Sequence, residues 1–198
     1  PRRADIGLPH KTASSALSEV VLSGDKAARS FFLLGPRQTG KSTLLRAAFP
    51  DALFLDLLDA HTFRSLAASP GLIGERARAL KGRRRVVIVD EIQKLPELLD
   101  EIHRLMELDK SLRFILTGSS ARKLRTRGRN LLGGRAGLVR MHPIVFPELR
   151  TVSPRRPWTD LVRWGGLPSV LDSKTPREDL EAYVGLYLQE EIRAEGLA

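Results

Sequence analysis

Gly35-Pro36-Arg37-Gln38-Thr39-Gly40-Lys41-Ser42 is the stretch on which the reading of this sequence turns. A glycine, four residues and then Gly-Lys-Ser is the pattern of a loop that wraps a phosphate group in backbone N–H groups. Its surroundings agree. Phe31-Phe32-Leu33-Leu34 is a short apolar run, as in a buried parallel strand, and Leu44-Leu45-Arg46-Ala47-Ala48 continues as a good helix former. Strand, glycine loop and helix together aim backbone N–H groups and a helix N-terminus at an anion. Gly35 and Gly40 are expected to permit the tight curl of the loop. Lys41 is expected to set its ammonium on the β- and γ-phosphates, and Ser42 to give its hydroxyl to magnesium. Pro36, Arg37, Gln38, Thr39 and Thr43 complete the nucleotide-contacting segment.

Downstream, Val86-Val87-Ile88-Val89-Asp90-Glu91 places four β-branched residues before two carboxylates. Such a run predicts a central buried strand, and its end lies at the carboxyl edge of the sheet, where α/β proteins bind ligands. In a phosphate-loop enzyme Asp90 would help hold magnesium, and Glu91 would orient and polarise a water for attack on the γ-phosphate. The alternation of side chains along a strand is expected to send the two acids apart, toward metal and water. Acids favoured by a helix dipole are the plainer alternative, but the next helix is expected only after Pro96, with Leu98, Leu99, Ile102, Leu105 and Met106 on its core face. His10, His61, His103 and His142 are scattered and carry no metal or catalytic role.

Leu112-Arg113-Phe114-Ile115-Leu116-Thr117-Gly118-Ser119-Ser120 predicts another buried strand ending in hydroxyls at the same edge. Thr117 and Ser119 are both candidates to contact the γ-phosphate or the attacking water, while Ser120, with Ser119 in reserve, fits the N-cap of a following helix. Leu131-Leu132-Gly133-Gly134-Arg135-Ala136 precedes the strand-like Leu138-Val139-Arg140-Met141. Two glycines there would present Arg135 as an arginine finger, in cis or from a neighbouring subunit; the alternative is a surface loop arginine.

Charge is unevenly distributed in this chain of 198 residues with net charge +10. From Lys110 to Pro147 there is no acidic residue but nine basic ones, Lys110, Arg113, Arg122, Lys123, Arg125, Arg127, Arg129, Arg135 and Arg140. Elsewhere the charges nearly cancel. Residues 110–140 would therefore face an anion, either nucleotide phosphates, nucleic acid or an acidic partner, or else form a solvated arginine-rich loop. Hydrophobic residues at 42% and charged residues at 28% describe a globular chain. Absence of cysteine excludes disulfides and suits a cytoplasmic protein. No apolar run is long enough for a membrane span, and Pro1-Arg2-Arg3-Ala4-Asp5 opens no signal peptide.

Taken in order, residues 1–28 read as a tail with a short amphipathic helix from Ser14 to Leu22, and 29–150 as the ATPase core. Residues 151–198 read as a helical lid region and a cut-short C-terminal helix. Within the core, Ala52 to Asp56 is expected as a strand, Asp59 to Ala68 and Leu72 to Leu80 as helices, and Lys81 to Arg85 as a charged turn. Continuous apolar strands alternating with helices predict an α/β fold whose parallel sheet is covered on both faces.

The ordered set Gly-Pro-Arg-Gln-Thr-Gly-Lys-Ser, Val-Asp-Glu-Ile-Gln-Lys-Leu-Pro, Leu-Thr-Gly-Ser-Ser and Leu-Leu-Gly-Gly-Arg-Ala resembles a prokaryotic family of AAA+-superfamily ATPases, over residues 28–198. The resemblance implies a five-stranded phosphate-loop NTPase sheet with an additional strand between the loop strand and the Asp-Glu strand. It also implies an ATP- and magnesium-dependent hydrolytic switch, and supports the sensor and arginine assignments without choosing among them. Trp164-Gly165-Gly166-Leu167-Pro168 is similar to the Gly-x-Pro element of signal-transducing ATPases, which would bring Pro168 near the base; a Gly-Pro turn between helices explains it equally well. Family members usually carry a further C-terminal domain, expected to be absent here. Arg177 to Leu197 reads as one helix with Leu180, Tyr183, Val184, Tyr187 and Leu188 on an uncovered apolar side. Two functions follow as expectations: an ATP-hydrolysing switch core, with homo-oligomerisation supplying the arginine, or a nucleotide-regulated module binding DNA, RNA or protein with little hydrolysis. A small-molecule kinase shares the loop but has no need for Glu91 beside Asp90.

Overall fold

The structure, a computed structural model, describes residues 29–82, 85–119 and 136–188. Five parallel strands form one sheet: β1 (Phe31–Leu34), β2 (Leu53–Asp56), β3 (Arg85–Asp90), β4 (Leu112–Gly118) and β5 (Gly137–Arg140). Their spatial order is β2-β3-β4-β1-β5. The additional strand expected between the loop strand and the Asp-Glu strand is therefore β4, which pairs with β1 on one side and β3 on the other. The helices around the sheet are α1 (Lys41–Ala48), α2 (Ala60–Ala68), α3 (Leu72–Arg78) and α4 (Leu98–Leu108). Beyond β5 follow α5 (Phe146–Val152), α6 (Trp158–Trp164), α7 (Pro168–Leu171) and α8 (Pro176–Tyr183), which continues as a π-helical turn over Val184–Leu188.

The strand sequences lack alternation because both faces are buried. Phe32, Leu34, Leu55, Val87, Val89, Phe114 and Leu116 face one way, onto Leu66 of α2, Ile73 of α3 and Leu98, Leu99, Ile102 and Leu105 of α4. Their neighbours Phe31, Leu33, Ile88 and Ile115 face the other way, onto Leu44 and Leu45 of α1 and onto Met141. Each such side chain contributes roughly 1.5–3 kcal/mol relative to exposure, so the two layers together hold the sheet flat-on between helices. At the edge, β5 is largely exposed, with Leu138 46% accessible.

Local chemistry sets the element ends. Asp59 caps α2 by accepting a hydrogen bond from the Thr62 N–H at 2.7 Å. Arg85, expected in the charged turn, instead opens β3, where its guanidinium pairs with Asp109 and donates to Ser111 Oγ at 2.8 Å. That pairing ties the start of β3 to the turn before β4. Arg113 departs from the expected anion-facing stretch: it is buried on β4, donates through Nε to the Arg29 carbonyl at 2.9 Å and lies over the rings of Phe31 and Phe49. An arginine bonded into the core is not part of a polyanion surface.

A third, smaller core joins Ile144, Leu149 and Leu171 with Val152 and Leu161, so α5 packs with α6 and α7 and runs across the expected boundary at residue 150. Backbone hydrogen bonds order the chain between the sheet and this core. Met141 N donates to Leu34 O and Ile144 N to Gly166 O, both at 2.7 Å. A Cβ on Gly166 would stand 2.1 Å from the Ile144 carbonyl oxygen, which requires glycine there. The expected helix from Ser14 to Leu22, the basic residues 122–129 and Arg135 lie outside the described residues.

Candidate active site

The carboxyl ends of the inner strands meet at one edge of the sheet. Register places Leu34 beside Gly118 and Asp56 beside Asp90. The loop after β1 leaves this edge, and its sequence dictates its shape. Gly35 is wedged between neighbours: its N–H donates to the Gly118 carbonyl at 3.2 Å, and a Cβ would stand 2.0 Å from the Met141 carbonyl oxygen. Close approach to β5's continuation, rather than curl alone, is thus what Gly35 provides. Gly40 does supply curl, with φ 90° at the entry to α1. Thr39 Oγ1 donates to the Pro36 carbonyl at 2.9 Å and braces the bend. Thr43 points to solvent on α1, and Arg37 and Gln38 are exposed.

Lys41 is buried, and its Nζ donates to the carbonyls of Gly35 and Pro36, both at 2.7 Å. Burial pulls its pKa below the usual 10.5, opposed by the nearby charges of Glu91 and Asp90 and reinforced by Arg37. A buried ammonium folded over the loop's own carbonyls has unmet demand for a negative partner, which a phosphate group would supply.

Asp90 is the hub. Ser42 Oγ donates to its Oδ2 at 2.6 Å, and the fully buried Thr117 donates from Oγ1 to its Oδ1. Thr117 Oγ1 also accepts from the Glu91 N–H at 3.0 Å. Thr117, one of two expected γ-phosphate sensors, thus has its hydroxyl engaged beneath both acids. Ser119 Oγ, the other, is buried without a hydrogen-bond partner. The Ser42–Asp90 pair presents the hydroxyl and carboxylate that suit magnesium, an ion that keeps most of its ligands as water and phosphate oxygen. Among the described residues no group of three or more His, Asp or Glu side chains is gathered to hold a metal by itself.

Glu91 departs from the expected geometry. It is not the alternating end of a strand but the residue after it, with a left-handed backbone at φ 61°. That conformation is unfavourable for a side chain bearing Cβ. Gln38 of the loop, also at φ 61°, is the other non-glycine residue at positive φ among the described residues, so both sit in this site. The turn it starts, a 3-10 helix over Ile92–Lys94, precedes α4, and the carboxylate accepts from Gln93 Nε2. Gln93 was not singled out from the sequence; its position two residues beyond Glu91 becomes meaningful only once the turn folds it back.

The C-terminal helices reach the loop at two points. Ser169 Oγ, beside Pro168 at the start of α7, donates to Gln38 Oε1 at 2.9 Å, and the Arg37 guanidinium lies 5.6 Å from the centre of the Tyr187 ring. Tyr187 also packs on Tyr183 at 4.8 Å. The apolar side expected to be uncovered is therefore in part against the loop, with Val184 and Leu186 exposed.

The chain belongs to the AAA domain family, which matches residues 27–150, more than half its length. Its fold is that of a nucleotide-binding phosphate-loop ATPase. Among solved structures it is similar to the Walker-type ATPase PABY2304 of Pyrococcus abyssi, with a TM-score of 0.58 and 20% identity, over 97% of this chain and 77% of that one. A weaker similarity is to the ORC1 protein of Aeropyrum pernix in complex with DNA, with a TM-score of 0.48 and 21% identity, over 73% of this chain and 48% of that one. No curated protein matches the chain. Among the described residues no helix is long and apolar enough to cross a membrane.

Proposed function

We propose that this chain is an ATP-hydrolysing, magnesium-dependent switch core. The observation that carries the reading is the Ser42–Asp90–Thr117–Glu91 network facing the loop that holds Lys41. Backbone N–H groups of 37–42 and the Lys41 ammonium bind the triphosphate. Ser42 and Asp90 would hold magnesium, which when bound offsets the charge of the phosphates. Glu91 orients a water and accepts its proton as the water oxygen bonds to the γ-phosphorus. The bond to the bridging oxygen breaks and ADP departs with its electron pair. Ser119, with an unused hydroxyl at the tip of β4, is the better-supported sensor of the γ-phosphate, and Thr117 fixes the two acids. Arg135 completes the charge stabilisation, in cis or from a second copy.

The deciding experiment is steady-state phosphate release with magnesium, in the native chain and in Glu91→Gln and Lys41→Ala. Glu91→Gln should bind a labelled ATP analogue normally and release phosphate roughly 100-fold or more slowly. Lys41→Ala should weaken that binding roughly 10- to 100-fold. Equal release by native chain and Glu91→Gln would remove Glu91 from the chemistry. Analogue binding without any release would favour a nucleotide sensor.

A further inference from the structure

Glu91 is held at its side chain as well as its backbone, and the holder is Gln93. A carboxylate offers only acceptors, so the Gln93 amide must turn its NH2 toward Glu91 Oε2, as it does. The amide oxygen is then forced to the opposite side. There it meets the tip of β4: a Cβ on Gly118 would come within 2.7 Å of Gln93 Oε1. That oxygen is buried and has no hydrogen-bond partner, as is Ser119 Oγ on the residue after Gly118. Burying an acceptor in this way costs stability, so its retention calls for another explanation. The backbone leaves the amide little freedom. Ile92 is fully buried, and the turn is closed by Lys94 N donating to Glu91 O at 2.9 Å. Gln93 therefore lies between the water-orienting acid, to which it is bonded, and the strand end that carries the proposed sensor, to which it is close.

Resting on the ATPase reading above, we propose that Gln93 is a positioning residue for hydrolysis, engaging one oxygen of Glu91 so that the other faces the attacking water, and linking that orientation to the tip of β4. Gly118 is part of the same device, because any larger residue would drive into the amide. Gln93 itself touches neither the proposed magnesium ligands nor the residues of the phosphate-binding loop through any bond described above, so nucleotide affinity should not depend on it.

The test measures phosphate release and ATP-analogue affinity for the native chain, Glu91→Gln, Gln93→Met, Gln93→Ala, Gly118→Ala and the Gln93→Ala/Gly118→Ala pair. Gln93→Met keeps the volume and loses the donor. It and Gln93→Ala should lower kcat about 10- to 100-fold, the scale of a misplaced reacting group, with analogue Kd unchanged. Gly118→Ala should reproduce most of that loss, and add nothing once Gln93 is already alanine. Losses that add, or that fall on Kd and thermal stability as much as on kcat, would overturn the proposal. So would a Gln93→Met protein as fast as the native chain, or faster, while native release still depends on Glu91; the ATPase reading would survive that result. Native release that is indifferent to Glu91→Gln would overturn both.

Discussion

Lys41 carries an ammonium into a place where water cannot solvate it well, and the fold bears that burden when no anion is present. Between its lowered pKa and the ordinary 10.5 the native chain binds fewer protons at this residue than the unfolded chain does. The sign follows: Lys41 makes stability rise with pH through that alkaline window, and its charge counts against the nucleotide-free fold below it. Urea midpoints followed against pH should therefore climb less steeply in Lys41→Met than in the native chain; parallel profiles would show that burial of the ammonium has no such effect. Thr117 makes the opposite kind of contribution. Replacing it with valine strands the Glu91 N–H and one Asp90 oxygen, which should cost about 1–3 kcal/mol in urea unfolding, while Thr117→Ser should restore most of it. A valine variant as stable as the parent would mean the network relaxes around the loss. The places of these residues were partly legible in advance. Lys41, Ser42, Asp90 and Glu91 announce themselves through spacing, because the chemistry of phosphate demands it. The division between Thr117 and Ser119 does not, because strand alternation alone does not say which hydroxyl finds a partner across the sheet.

At the scale of elements, continuous apolar runs identified four of the strands, since burial on both faces leaves no other pattern. Arg85 and Arg113 were misread for a shared physical reason. Long arginine stems can lie in or beside a core when the guanidinium is satisfied by a carboxylate, a carbonyl or ring faces, and composition counts them as surface charge regardless. The left-handed backbone of Glu91 was invisible for a related reason: glutamate gives no local signal for it, and the surrounding bonds impose it. Two glycines mark where elements touch most closely. Gly35→Ala should separate β5's continuation from the loop, and Gly166→Ala should separate the turn between α6 and α7 from Ile144. Because the obstacle in each case is backbone, each is expected to destabilise by about 1–3 kcal/mol or more. The two should differ in location: proteolysis should speed up first near α6 and α7 in Gly166→Ala and near β5 in Gly35→Ala. Identical cleavage patterns would show the two contacts to be one cooperative unit.

Across the whole molecule, the C-terminal helices meet the phosphate-binding loop through Ser169 on Gln38 and Tyr187 on Arg37. Occupancy of the loop should accordingly be felt in those helices. An ATP analogue is expected to slow amide exchange in both α1 and α7 of the native chain, and in Gln38→Ala to slow it in α1 while α7 exchanges nearly as in the free protein. Protection of α7 that is unaltered by Gln38→Ala would assign the coupling to another contact. The strand order has a consequence of a different kind, in the order of synthesis. β1 pairs only with β4 and β5 within the described sheet, and the earliest residue of either is Leu112. β2 and β3 can zip together as soon as they leave the ribosome, but the loop strand waits, its edges unclaimed, while some eighty residues of chain are made. The cradle for phosphate is translated well before the two strands that flank it, so a nascent chain gains no help from nucleotide until β4 and β5 have followed.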